Sequence, residues 1–334
     1  MTQSGSGVTE QAELSELLEV EADDGFFRHA WTELRKRKLA LFAVCILVIL
    51  YTLGILAPLV STHDYSETNL AKTQAGPDAQ NWLGTDRLGR DIFSRVVWGI
   101  QTTIILTIIT ILTASVFLGL VLGMAAGYLR GIADIVTMRI GEVVAVVPDF
   151  LLVLIIAATV RPRIKEFGYW VEDNTFISGV NSSGAVDYIV LGLAFLPLSW
   201  FGAMRLIRGQ TLAIRDAPYV DAARSMGVGT PTILLRHVLP NVITPLIVSV
   251  SFGMGAVALG EVVASFFGIG VQPPRPSLGV MIGDVTARTG SAAVETLRSH
   301  PEQLLSPIVV VWLMIFCWNI LGDALNDILN PRAR

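Results

Sequence analysis

The sequence predicts an all-α polytopic membrane protein with six transmembrane helices and with both termini in the cytoplasm. Of the 334 residues, 52% are hydrophobic and only 16% are charged, and the mean hydropathy is +0.61. An average soluble domain carries about 25% charged residues, so this composition indicates lipid as the surrounding solvent. Six apolar stretches reach or approach the roughly 20 residues that a membrane-spanning helix needs. A basic cluster before the first stretch predicts the orientation.

The six apolar stretches differ in length and in charge. The second is a 34-residue uncharged stretch, which predicts one helix that is longer than a single crossing requires. The third contains Pro148, which predicts a kink, and the fourth is short at 17 residues. The predicted spans are Leu39 to Val60, Val96 to Leu129, Ile140 to Val160, Tyr188 to Met204, Val238 to Gly260 and Leu304 to Gly322.

The basic residues set the predicted orientation. Arg35, Lys36, Arg37 and Lys38 directly precede the first span. Because cytoplasmic flanks carry an excess of Lys and Arg, this cluster places the N-terminus inside, and six crossings return the C-terminus to the same side. We therefore expect a multi-pass protein of the inner, cytoplasmic membrane.

The chain divides into segments of different composition. The first 24 residues hold seven carboxylates and no basic residue, which predicts an acidic, disordered cytoplasmic tail. Further predicted segments are an amphipathic, basic cytoplasmic lead-in at 25–38, the first transmembrane helix at 39–60, an external segment at 61–98 with the motif GTDRLGRD, a membrane core domain at 99–328 with a cytosolic loop at 205–241 and an external insertion at 161–187, and a cytoplasmic C-terminus at 329–334.

Several classes of functional site are not supported. The two cysteines lie in apolar runs and the four histidines lack metal-ligand spacing, so we expect no disulfide framework and no metal site. The sequence contains no phosphate-binding G-x-x-x-x-G-K-[ST] loop and no Ser/His/Asp set, so we expect no enzyme active site. The ionisable residues inside predicted spans are candidates for function, although each also has a structural explanation: they are Glu142, Asp149 and Glu261.

The cytosolic loop at 205–241 contains the clearest local signals. Pro218 suits the first turn of a helix and Gly227 suits the position just past its end. Thr230 is predicted to be the N-cap and Pro231 the first turn of a second helix, and Pro240 begins the return into the membrane. The loop is therefore predicted to fold as a helix, a break and a second helix.

The first short helix of this loop has a small apolar face. Tyr219, Ala222, Ala223 and Met226 have the spacing of residues on one helical face, whereas Asp221 points elsewhere. Small alanines allow close approach of another backbone, which favours docking into a groove of a partner protein. A helix folded against its own bundle or the lipid headgroups is the alternative, and amphipathicity alone does not decide between them.

The spacing of further loop residues resembles a known motif. Asp221, Ala222 and Ala223, then Gly227, then His237 to Pro240 resemble the EAA loop of ABC-importer permeases, with Asp221 in place of the usual glutamate. The resemblance implies that this short helix couples to an ATPase. It assigns the coupling role to Pro218, Tyr219, Asp221, Ala222, Ala223, Met226 and Gly227, with Leu239 and Pro240 as supporting residues.

Three other stretches narrow the resemblance. The segments 30–40 and 81–99 resemble the N-terminal region of C-type permease subunits of dipeptide, oligopeptide and nickel importers. The segments 261–279 and 322–331 resemble two further signatures of these subunits, with Leu278 where tryptophan is frequent and Asn330 where aspartate is frequent. The segment 161–187 is longer than usual, so the resemblance implies no role for it.

The resemblance implies a MetI-like ABC-importer permease fold and a set of partners. These are a homologous second permease in a heterodimer, two ATP-binding subunits that hold ATP and Mg, an external substrate-binding protein and the lipid bilayer, with no nucleic acid. Peptides are the expected cargo, and nickel or another small solute is the alternative. A secondary transporter and a structural membrane subunit are the competing classes, and the sequence identifies no substrate-binding residue.

Overall fold

The computed structural model describes residues 26–176, 178–181, 183–286 and 291–329, and these residues form an all-helical chain without a β-strand. The predicted acidic tail at 1–24 and residues 330–334 of the predicted C-terminal segment lie outside the described residues. The helices are α1 Phe26–Lys36, α2 Lys38–Ile55, α3 Ala57–Val60, α4 Ile92–Leu129, α5 Gly131–Val146, α6 Asp149–Asn174, α7 Ala185–Arg215, α8 Pro218–Ser225, α9 Thr230–Phe266, α10 Leu278–Thr286, α11 Ser291–Ser299 and α12 Glu302–Leu329.

Five of these helices, α2, α4, α7, α9 and α12, are long and apolar enough to cross a membrane. The sixth span is a broken one, because α5 and α6 meet at an angle of 95°. The predicted span from Ile140 to Val160 is divided between α5 and α6, and the kink predicted at Pro148 is confirmed. Proline lacks a backbone N–H and its ring clashes with the preceding turn, which ends α5 at Val146.

Several helices extend beyond their predicted spans. α7 has 31 residues, so the predicted cytosolic loop is helical from Arg205 to Arg215. α6 continues to Asn174, which makes the first half of the predicted insertion at 161–187 helical. α2 ends at Ile55 and the short α3 follows it, so the predicted first span at 39–60 is not a single helix. Apolar length marks the part of a helix in lipid, whereas charged side chains continue helices into the interface.

Three glycines bring α4 and α7 into close contact. Gly119, Gly123 and Gly127 lie four residues apart and so share one face of α4. A Cβ atom on any of them would lie 2.6–2.8 Å from a side-chain atom of α7. Small residues at this spacing allow helix backbones to approach closely in lipid, where association depends on van der Waals packing. These glycines therefore fix α4 against α7.

The segment after α9 returns to the bundle through α10. Leu278 and Met281 are buried in a core cluster with residues of α2, α4 and α12. The predicted external loop in this region thus contains a helix that packs against the membrane core. Gly279 is required because a Cβ atom there would collide with the carbonyl oxygen of Val262 in α9.

A buried carboxylate anchors this returning segment. Glu261 is fully buried and accepts hydrogen bonds from the hydroxyls of Thr103 at 2.8 Å, Ser265 at 2.8 Å and Ser277 at 2.9 Å. A buried charge is tolerated only when its oxygens have hydrogen-bond partners. The three donors connect α4, α9 and the residues before α10, which gives Glu261 a structural role.

The external motif GTDRLGRD forms a tight loop. Asp86 accepts hydrogen bonds from the backbone N–H groups of Leu88 at 2.8 Å and Arg90 at 3.0 Å, and from Arg90 Nε at 2.6 Å. Arg90 also pairs with Asp284 of α10 at 3.3 Å. The pair between Arg90 and Asp86 holds the loop together, and the pair between Arg90 and Asp284 attaches it to the bundle.

We predict that Gly123→Ala destabilises the protein, because the added methyl group meets Ile207 Cβ and the carbonyl oxygen of Met204 at 2.8 Å. Overpacking of this kind costs about 1–3 kcal/mol of unfolding free energy. The matched control is Gly209→Ala on α7, where the added Cβ has no atom within 4 Å. Thermal unfolding of the purified chain in detergent measures both variants. Equal melting temperatures for Gly123→Ala and the wild type would contradict the assigned helix contact.

Candidate functional site

The short helix α8 has well-defined ends. Pro218 occupies its first turn, and Gly227 adopts a φ of +77° just past its last residue. The backbone N–H of Val228 donates to the carbonyl of Ala223 at 3.1 Å, and that of Gly227 donates to the carbonyl of Arg224 at 3.0 Å. This pair of bonds is a Schellman motif, which satisfies the last carbonyls of a helix and favours glycine at the left-handed position. The ends predicted from Pro218 and Gly227 agree with the structure.

One face of α8 packs against the helix bundle. Val220 is 0% and Ala223 is 2% exposed, and both belong to a buried cluster with Ile207 of α7 and Ile233 and Val238 of α9. The prediction that Ala223 lies on the outward contact face is therefore wrong. Val220 was missed by the sequence analysis, although its three-residue spacing from Ala223 was the available signal.

The other face of α8 is exposed. Tyr219 is 46% and Met226 is 77% exposed, and Pro218, Asp221 and Ala222 are exposed beside them. Asp221 pairs with Arg224 at 2.8 Å on the same helix. The predicted coupling residues are thus brought together on one outward surface, with the exception of Ala223. We call Pro218, Tyr219, Ala222 and Met226 the outer face of α8.

An aromatic ring at the end of α4 holds the loop from the side. Arg224 Nη2 donates a hydrogen bond to the Tyr128 hydroxyl at 3.4 Å, which raises the pKa of the Arg224 guanidinium. The guanidinium carbons of Arg224 and Arg215 lie 5.7 and 5.8 Å from the centre of the Tyr128 ring. Cation–π attraction at these distances favours both contacts. Tyr128 therefore links α4 to α8 and to the end of α7.

Two ion pairs hold the inner end of α7. Arg208 forms a two-point contact with Asp134 of α5, at 2.5 and 2.8 Å. Arg130 pairs with Asp216 at 2.9 Å in a more exposed position. The two-point, partly shielded contact has the stronger geometry, whereas an exposed pair contributes little. The Arg208 pair thus fixes the helix that leads into α8.

The second helix of the loop runs without interruption into the membrane. It starts at Thr230, and the preceding Gly229 has the extended backbone of an N-cap, so the N-cap predicted at Thr230 is one residue late. Residues Leu234–Val238 form a π-helical turn just before Leu239 and Pro240. Leu239 packs against the cluster around Val220, and Pro240 lines a cavity. Both predicted supporting residues therefore lie where the loop meets the bundle.

Two cavities lie along α9. The outer cavity, of about 460 Å³, is lined by α4, α6, α7 and α9, and the inner cavity, of about 570 Å³, is lined by α7, α9 and α12. Ser249 lines both. No cavity-lining residue was predicted from the sequence, although small side chains at helical spacing along α9 were an available signal. The lining residues on α9 are Pro240, Asn241, Thr244, Pro245, Val248, Ser249, Gly253, Ala256, Val257, Leu259, Gly260, Val263 and Ala264.

Comparison with known families identifies this architecture. Residues 119–334 match the binding-protein-dependent transport system inner membrane component family. The chain belongs to this family of importer permeases. Residues 25–77 also match the N-terminal transmembrane domain of oligopeptide transport permease C, which agrees with the resemblance found in segment 30–40.

Curated relatives of this permease cover almost its whole length. It is 30% identical to the dipeptide transport system permease protein DppC of Bacillus subtilis, over 92% of this chain and 87% of that protein. It is 29% identical to the glutathione transport system permease protein GsiD of Pectobacterium atrosepticum, over 92% of each chain. It is 29% identical to the oligopeptide transport system permease protein OppC of Mycobacterium tuberculosis strain H37Rv, over 90% of this chain and 92% of that protein.

Family membership confirms several expectations. The permease is a multi-pass protein of the cell membrane, and it is a transport component rather than an enzyme. Members of this family act in importers together with ATPase and substrate-binding partners. The predicted permease fold and the predicted class of transporter are therefore confirmed.

Proposed function

We propose that this permease forms half of the translocation pathway of an ATP-driven peptide importer and couples that pathway to cytosolic ATPases. The observation that carries the proposal is the two-sided packing of α8. Val220 and Ala223 fix one side to the helices that line the cavities, while the outer face remains exposed. The printed names of the relatives, which include dipeptide, oligopeptide and glutathione transport permeases, support a peptide cargo.

Coupling follows from the rigid attachment of α8. Closure of an ATPase dimer would displace its outer face, and the buried contacts of Val220 and Ala223 would pass this motion to α7 and α9. Both helices line both cavities, so a small rotation of either changes access from each side. The contact between Arg208 and Asp134 extends the moving unit to α5. Such a rigid-body movement is a common form of alternating access.

The remaining parts of the importer come from other chains. A homologous second permease supplies the opposite wall of the pathway in a heterodimer. Two ATP-binding subunits bind ATP and Mg, and an external binding protein delivers the peptide. This division of labour is supported by the family and by the absence of a phosphate-binding loop from the sequence.

The cargo is tested by reconstitution of the complete importer in liposomes, with the second permease, both ATP-binding subunits and the external binding protein. We expect accumulation of a labelled dipeptide that requires both ATP and the binding protein. The control is the purified chain alone under a proton gradient, which should accumulate nothing. Uptake by the chain alone would indicate a secondary transporter, and ATP-driven uptake of nickel without peptide uptake would contradict a peptide cargo.

The coupling role is tested with Ala222→Trp on the outer face of α8. The bulky ring occupies the surface where the ATPase would dock, so we expect uptake to fall by at least about tenfold, equivalent to about 1.4 kcal/mol. The level of the protein in the membrane should not change, because Ala222 is exposed. Ala222→Ser, which adds only a hydroxyl, is the matched control and should transport normally. Normal uptake by Ala222→Trp, together with normal copurification of the ATPase subunits, would rule out this face as the docking surface.

A further inference from the structure

One carboxylate in the outer cavity has no partner among the described residues. Asp149, the first residue of α6, lines this cavity, and it has no hydrogen bond or ion pair to any residue that the structure describes. The other lining residues are apolar or serine, so Asp149 is the only charged group of the cavity lining. Glu142, the other carboxylate within the predicted span Ile140 to Val160, pairs with Arg139 at 3.0 Å. Of these two carboxylates, only the one that lines the cavity is therefore unpaired among the described residues.

Asp149 lies far along α6 from the contact that holds the later part of this helix. Twelve residues further along α6, Arg161 donates hydrogen bonds to the carbonyls of Ile269 and Gly270, which follow the outer end of α9. At 1.5 Å per residue, Asp149 is about 18 Å along the helix from this outer contact. The hydrocarbon core of a bilayer is about 30 Å thick, so this distance is roughly half of that thickness.

The start of α6 explains only part of this arrangement. A helix N-terminus attracts negative charge, which makes a carboxylate acceptable at the first position. This stabilisation is smaller than the cost of an unpaired ionised side chain near the middle of a bilayer. Ionisable groups at this depth are normally paired, and they normally face a bundle interior or a water-filled cavity. Asp149 is exposed in this chain, so a cation from outside the chain can reach it in the cavity.

We propose that Asp149 is a binding site in the pathway for the α-ammonium group of a passing peptide. This inference rests on the peptide cargo proposed above. A free α-amino group has a pKa of about 7.7–8.0 and so carries a positive charge at neutral pH. The cavity volume of about 460 Å³ falls within the roughly 300–1,000 Å³ of small-molecule sites. A single charged contact would bind the N-terminus that all such peptides share. The otherwise apolar cavity would accept varied side chains.

The test uses the complete reconstituted importer with three variants of this chain. They are Asp149→Asn, which removes the charge, Asp149→Glu, which keeps it, and Glu142→Gln, which removes the paired carboxylate of the same broken span. The initial rate of uptake of a dipeptide with a free N-terminus is measured together with copurification of the second permease. We expect Asp149→Asn to lower uptake by at least about tenfold, because the charge-assisted contact to the ammonium group is lost. Asp149→Glu should keep most of the uptake, and Glu142→Gln should match the wild type.

Several results would contradict the proposed site. Wild-type uptake by Asp149→Asn, or an equal loss in Asp149→Asn and Asp149→Glu, would overturn the site. Loss of the second permease from purified Asp149→Asn would also overturn it, because Asp149 would then pair with a cation of that subunit. An N-acetylated dipeptide lacks the ammonium charge. If Asp149→Asn lowers the uptake of this peptide and of the dipeptide with a free N-terminus equally, the assignment is contradicted. If the wild-type importer takes up no peptide, the proposed function itself fails and this site fails with it.

Discussion

The packing of this permease depends on the close approach of α4 and α7 at Gly119, Gly123 and Gly127. In lipid there is no hydrophobic force between helices, so contact depends on how closely backbones can pack. α7 is 31 residues long and connects the outer side of the bundle to the loop that carries α8. α4 holds α7 along about two helical turns, and under the proposed coupling a displacement of α8 would pass along α7.

Polar contacts hold the outer end of the same helix. Asp187 pairs with Arg161 of α6 and accepts a hydrogen bond from the backbone N–H of Gln272 at 2.9 Å. Arg275 donates to Gln101 at 2.9 Å and to the carbonyl of Ser183 at 2.8 Å. Polar groups at membrane depth must find partners within the protein, and these groups find theirs in the segment between α9 and α10. The outer end is thus closed by internal contacts, whereas the outer face of α8 at the other end is exposed.

Much of the fold could be predicted from local chemistry. Apolar length identified the spans, and Pro218 and Gly227 identified the ends of α8, because a missing N–H and a left-handed backbone position are properties of single residues. The resemblance of the loop and of the external motif identified the family. These signals depend only on the sequence within a few helical turns, so they can be interpreted without the tertiary structure.

The remaining features depend on which helices become neighbours. An eight-residue amphipathic helix can turn its apolar face inward or outward, and burial of Ala223 follows from Val220, Ile233 and Val238 meeting around it. The glycine spacing in α4 is visible in the sequence, but the partner helix α7 is not. The cavity around Asp149 likewise forms only where four separate helices meet, so its unpaired charge could be noticed but not placed.

The most direct test of the two-sided arrangement of α8 is site-specific cross-linking in the assembled importer. Single cysteines are introduced as Met226→Cys on the outer face and Val220→Cys on the buried face, in a background where Cys45 and Cys317 are replaced by serine. A short reagent that joins a thiol to an amine should link Met226→Cys to an ATP-binding subunit and should leave Val220→Cys unlinked. Linkage from Val220→Cys, or none from Met226→Cys in an importer that hydrolyses ATP and transports, would contradict the proposed coupling surface.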